Sequence, residues 1–111
     1  MKTHPSIRTT MKDVFDTECE GLDGVYIFAY MGKVVYIGKA ENVGQRIKTH
    51  VYNVQHSSEL LGKWLVKNAD HDNIRIDILE SPKDSGDYWR ADVESKLIRK
   101  LRPLLNVAMN H

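Results

Sequence analysis

Arg46 and His50 stand four residues apart in a stretch that reads as helix, so they share one face. The apolar stripe of that helix (Val43, Ile47, Val51, Val54) is offset from them, and neither needs to be buried. Arginine offers a rigid fork for phosphate oxygens, and histidine a proton donor or acceptor near neutral pH. A plainly solvated helix flank accounts for the same pair. Tyr26 and Tyr36 sit mid-strand in the two arms of a hairpin, placed to be near neighbours across it. Tyrosine is also simply a good strand residue. Gly24 and Gly38 flank the two tyrosines, and Gly38 ends its strand where a backbone or ligand can approach closely. Glu94 borders the apolar stripe of a later helix. A half-sheltered carboxylate there suits a lone Mg²⁺ whose shell is completed by waters and a substrate phosphate. An ordinary exposed helix glutamate is the plainer reading. Asn106, just past Pro103, reads as a turn or cap residue when taken alone.

Other chemistries are excluded or unsupported. A single cysteine, Cys19, rules out an internal disulfide framework and a multi-cysteine metal site. No basic neighbour in sequence activates it as a nucleophile. His4, His56, His71 and His111 lack metal-ligand spacing, and there is no Walker-type phosphate loop.

The elements that must position these residues follow from periodicity. Residues 24–30 and 34–37 are rich in branched and aromatic side chains, and Met31-Gly32-Lys33 between them reads as a three-residue hairpin loop. Asn42 is a helix N-cap candidate for a helix over about 43–55. Ser57 can cap a second helix that buries Leu60, Leu61, Trp64 and Leu65. Residues 74–79 alternate with period two and predict a half-buried strand. Asp87 caps a third helix to about Leu101, with Val93, Leu97 and Leu101 as its stripe and Pro103 as its stop. The polar residues 1–20 read as a short helix or a loosely attached arm, and 21–111 as a single α+β domain.

Gly24-Val25-Tyr26 and Tyr36-Ile37-Gly38, ten residues apart, resemble the GIY-YIG nuclease motif, with Val25 in place of its first isoleucine. The likeness continues through Lys39-Ala40-Glu41-Asn42 and Arg46, which resemble the segment after the motif in the excision-repair members. His50 resembles the histidine of homing-endonuclease and some restriction members, where repair members tend to carry tyrosine. Glu94, Leu97-Ile98, Pro103 and Asn106 resemble the family's acidic helix and terminal asparagine. The resemblance implies a small three-stranded antiparallel sheet flanked by three or more helices. It implies endonucleolytic hydrolysis of DNA phosphodiesters dependent on Mg²⁺, with Mn²⁺ as a substitute. By position Glu94 would ligate a single metal, and Arg46 would brace the scissile phosphate. Tyr26 and Tyr36 would line the site, with Tyr36 favoured as the base because it leads into Gly38 and the basic loop. His50 and Lys39 would support them, Asn106 would anchor the acidic helix or the edge of the site, and Gly24 and Gly38 would let strands and substrate approach.

A catalytically silent nucleic-acid-binding module of the same fold and a plain interaction domain are the rival readings. No additional DNA-binding module is evident, so a homodimer or a partner protein is the expected source of targeting. With no signal peptide and no long apolar run, a cytoplasmic setting without membrane contact is expected. A formal net charge of +1 excludes a uniformly basic protein. By segment, 33–67 carries +4 and 90–111 carries +3, against −2 for 1–32 and −4 for 68–89. The basic segments bear Lys39, Arg46 and Glu94, so a local phosphate-binding face is compatible with near-neutrality.

Overall fold

A computed structural model of the chain describes residues 7–14, 21–56, 64, 67, 73–83 and 85–105, with the backbone alone at 50–56 and 86. The run Val25-Tyr26-Ile27-Phe28 places large apolar groups on both sides of one strand, which therefore needs cover on both faces. That strand, β2 (Gly24–Tyr30), is buried along nearly its whole length. It pairs antiparallel with β3 (Lys33–Ala40) on one side and β4 (Ile74–Glu80) on the other. Beyond β4 lies β1 (Ile7–Thr10), giving the order β1-β4-β2-β3. The expected sheet had three strands and the structure has four. The extra one comes from residues read as an arm or short helix: Ile7, Thr9 and Thr10 are β-branched, and the free edge of β4 gives them a ladder to join.

Two helices cover the two faces. α1 (Val43–His56) lies against Tyr26, Phe28, Val35, Ile74, Ile76 and Ile78 through Val43 and Ile47, with Met11 and Val14 completing that core. α2 (Gly86–Leu101) lies against Val25, Ile27, Ile37 and Leu79 through Val93 and Leu97. The α+β class holds, with two long helices among the described residues. The helix expected after Ser57 falls outside them except for Trp64, which meets Tyr30 edge-on.

Three local expectations are corrected. The hairpin turns through two residues, not three: Tyr30 pairs with Lys33, and Met31 and Gly32 both take positive φ (51° and 80°). Asp87 is not the cap of α2; Ser85 occupies that position without a side-chain bond. Leu101 is 39% exposed rather than buried, and Leu105 joins the core instead. α2 does end before Pro103, where Arg102 turns left-handed and donates its N–H to the Ile98 carbonyl.

Candidate active site

The hairpin register explains why glycine occupies two particular places. Tyr26 pairs with Gly38 and Phe28 with Tyr36; a bulge in β3 opposite Phe28 and Ala29 adds Val35, without which Tyr26 would face Ile37. The ring of Tyr26 lies flat enough over Gly38 that a Cβ there would come within 2.3 Å of its Cζ and Oη. Tyr36, diagonal to Tyr26, brings its ring centroid to 6.2 Å from that of Tyr26. Gly24 packs on the next strand, where a Cβ would meet the Leu79 carbonyl oxygen at 2.2 Å. Tyr26 is fully buried while Tyr36 is only partly so, and of the two it is Tyr36 that solvent and ligands can reach.

The other face of the same strand end carries charge. Lys39 alternates away from Gly38 and points toward α2, where its Nζ lies 3.7 Å from Oε1 of Glu94. Glu94 is half-buried; burial pushes its carboxyl above the ordinary glutamate range, and the loosely placed Lys39 ammonium only partly offsets this. The tyrosines and the Lys39–Glu94 pair thus flank the end of β3, an edge strand, from opposite faces.

α1 begins directly after β3 because Asn42 caps it. Its Oδ1 accepts the N–H groups of Gln45 at 3.1 Å and Gly21 at 2.8 Å. This cap sets Arg46 on the first turn of α1, exposed and without an ion pair among the described residues. The structure gives it no contact with Glu94. His50 lies one turn further along α1, but its side chain is outside the described residues, as is Asn106.

Sequence reasoning passed over the residues that fix this rim. Arg90, 5% exposed, lies one turn before Glu94 on α2. Its guanidinium bonds Asp23, which precedes β2, and Asp87, and lies 3.6 Å from Glu41 after β3. Asp23 also accepts the Ser81 hydroxyl, and its backbone carbonyl takes the Ser81 N–H at 2.7 Å. Burial raises the Asp23 carboxyl, but the bonds from Ser81 and Arg90 and the Arg90 charge outweigh it and hold the group below its ordinary range. One arginine therefore ties α2 to the ends of β2 and β3, and through Asp23 and Ser81 to the end of β4. The signal was present in the sequence: Arg90 falls on the Val93–Leu97 stripe, where a charge must be paired to be buried.

Among the described residues, no three His, Cys, Asp or Glu side chains gather as a metal cage. Glu94 is instead a lone, under-coordinated carboxylate. That donor set fits Mg²⁺, which is commonly held through one or two carboxylates and keeps several waters.

No protein-family model matches the chain. It is similar to the UvrABC system protein C of Chlorobium chlorochromatii (strain CaD3), 32% identical over 85 residues that make up 76% of this chain and 12% of that protein. It is 33% identical over 87 residues to the same-named protein of Dictyoglomus thermophilum, covering 78% of this chain and 13% of that one. The chain thus spans only about an eighth of the length of these relatives. In fold it is similar to the GIY-YIG N-terminal endonuclease domain of UvrC from Thermotoga maritima bound to magnesium. The TM-score is 0.59 at 22% identity, covering 84% of this chain and 90% of that one. A cation-bound point mutant of that domain gives a TM-score of 0.61. The chain has a GIY-YIG domain.

The register gives the two triplets of the GIY-YIG motif a physical meaning here. The tyrosine of the first needs the glycine of the second as the floor for its ring, and the glycine of the first needs contact with β4. β1 is an addition to the three-stranded sheet that the motif led us to expect.

Proposed function

We propose that this GIY-YIG domain is a divalent-metal-dependent endonuclease that hydrolyses DNA phosphodiesters with a single metal ion held by Glu94. The observation that carries this reading is the poise of Glu94 itself. It is half-buried, raised in pKa and only loosely paired, on a helix that Arg90 fixes to three strand ends. A carboxylate left short of donors at a fixed place is suited to bind a cation.

A bound Mg²⁺ supplies Lewis acidity and neutralises phosphate charge. Glu94 would hold the ion, and Lys39 lies close enough to turn from the carboxylate to a phosphate oxygen. Arg46, exposed on the first turn of α1, presents its fork to the scissile phosphate. Tyr36 accepts the proton of the attacking water. A free tyrosine, with a pKa near ~10, is a poor base, and it would serve as one only with a cation brought beside it by the bound metal and phosphate. Tyr26, buried over Gly38, holds the hairpin in shape and orients Tyr36 through their ring contact. His50, one turn beyond Arg46 on α1, and Asn106 complete the set by their match to the family's motif. Targeting comes from a second copy or a partner protein, since one such site cuts one strand.

Plasmid nicking in Mg²⁺ tests this directly. Activity is expected in Mg²⁺ or Mn²⁺ and absent in EDTA or in Glu94→Gln. A folded chain that binds DNA but never nicks it would establish the silent binding module instead.

A further inference from the structure

α2 packs on the β2–β3 half of its sheet face and leaves the β1–β4 half to polar residues. β4 turns Ile74, Ile76 and Ile78 to the α1 core, so Arg75, Asp77 and Leu79 face the α2 side. Asp77 lies opposite Arg8 of β1 and is 6% exposed. Its Oδ1 accepts Nε of Arg8 at 2.9 Å, and its Oδ2 accepts Nη2 of Arg8 at 3.3 Å. Nε of Arg75 lies 3.4 Å from Oδ2. A single arginine would neutralise this carboxylate. The second leaves a surplus positive charge, and Lys100 adds another on the cleft of about 210 Å³ that Arg75 and Asp77 line with Ile27, Leu79 and Leu97.

The two guanidinium groups also stay open to solvent. Arg8 spends Nε and Nη2 on Asp77, and Arg75 spends Nε. The remaining guanidinium N–H groups belong to side chains that are 58% and 46% exposed. Asp77 thus acts as a buried anchor for two largely exposed arginine side chains, which lowers the entropy cost of each phosphate contact. The patch lies on the same sheet face as Lys39 and Glu94. Lys39 pairs with Val25, Val25 with Leu79, and Arg75 is four residues along β4 from Leu79. At about 3.4 Å per residue that is roughly 14 Å of strand, comparable to about four nucleotide steps of duplex rise.

We propose that Arg8, Arg75 and Lys100, ordered by Asp77, form a second phosphate contact that takes the sugar–phosphate backbone of the substrate duplex several nucleotides from the cleaved bond. This rests on the DNA-hydrolase reading above. It assigns a role to β1, the strand that brings Arg8.

The test is binding of a 20-bp DNA duplex of arbitrary sequence by fluorescence anisotropy across a salt series, alongside plasmid nicking. Removing the arginines alone would strand the carboxylate, so the main variant is the triple Arg8→Gln, Arg75→Gln, Asp77→Asn. Lys100→Ala is made separately. The triple variant should bind more weakly, with the slope of log K against log salt shallower by about 2, and Lys100→Ala by about 1. Nicking at saturating DNA should be unchanged in both. Asp77→Asn alone keeps both cations but loosens their anchor, and should weaken binding less than the triple variant with the salt slope unchanged, whereas a purely structural cluster would alter only stability. Wild-type affinity and salt slope in both the triple variant and Lys100→Ala, with wild-type nicking intact, would overturn the second contact and leave the hydrolase reading standing. A wild-type chain that neither binds nor nicks DNA would sink both. Loss of nicking in Glu94→Gln with binding retained separates the two sites.

Discussion

Two carboxylates at one end of the molecule meet opposite fates. Asp23 accepts hydrogen bonds from Ser81 and from the buried Arg90 and is held ionised. Glu94, one helical turn from that same arginine, has only Lys39 at 3.7 Å among the described residues, and burial pushes it toward the neutral form. The clamp is saturated with donors, and its neighbour is left short of them. A structural carboxylate is satisfied within the chain, while one that must receive a cation is positioned without being satisfied. The clamp makes this possible. Arg90 fixes α2 against the ends of three strands, so Glu94 cannot relax toward a better internal partner.

The sharpest way to break this comparison is Glu94→Gln. It should lower Mg²⁺-dependent nicking by about 10²–10³-fold or more, the scale expected when one strong electrostatic stabiliser is lost. Thermal stability at neutral pH should not fall, because the variant removes a half-buried charge rather than a satisfied one. Equal nicking would mean that the poise of Glu94 has no catalytic use. Next in size is Arg90→Ala. It leaves Asp23, Asp87 and Glu41 without their shared cation, and should cost about 2–3 kcal/mol in urea unfolding. It should also weaken nicking even where the chain remains folded. Retained nicking would show that Glu94 is placed by the Val93 and Leu97 packing alone. Gly38→Ala comes third. Its Cβ would lie 2.3 Å from the Tyr26 ring, which is buried and cannot swing away. A loss of about 1–3 kcal/mol is expected, with reduced nicking as the tyrosine pair shifts. Pairing it with Tyr26→Phe isolates the cause: the clash with Oη is relieved, but the one with Cζ remains.

Some of this was legible in the residues and some was not. Periodicity placed β2, most of β3, β4 and both long helices, because each has a strong apolar pattern of its own. β1 has four residues and no autonomous signal, and its strand exists because β4 offers an edge. The bulge at Val35 shifts which residues oppose each other by one, and no composition rule foretold it. Within the site, the two tyrosines are near neighbours as the hairpin suggested, whereas the meeting of Lys39 with Glu94 comes from the packing of α2 and no spacing in the sequence announced it. Summing charge along segments misled in detail. Arg8 from an acidic segment and Arg75 from another gather with Lys100, while Glu41 from a basic segment joins the carboxylates around Arg90. Ion clusters form across strands, and sequence windows cannot sort them.

The smallest expected effect is the most discriminating, because the two carboxylates should bend stability with pH in opposite directions. Asp23 has a folded pKa below its unfolded value of about 3.9, so its contribution is present above that pH. That contribution is lost as pH falls through the lower folded value. Glu94 has a folded pKa above its unfolded value of about 4.3, so its contribution is complete below that pH and is lost as pH rises through the higher folded value. In urea unfolding from pH 3 to pH 7, Asp23→Asn should flatten the acid limb and cost on the order of 1 kcal/mol near neutrality, one charge-assisted bond's worth. Glu94→Gln should remove the decline on the other side of the curve and leave the acid limb in place. If both variants flattened the same limb, the two carboxylates would share one environment, and the division between a saturated clamp and an unsatisfied ligand would be wrong.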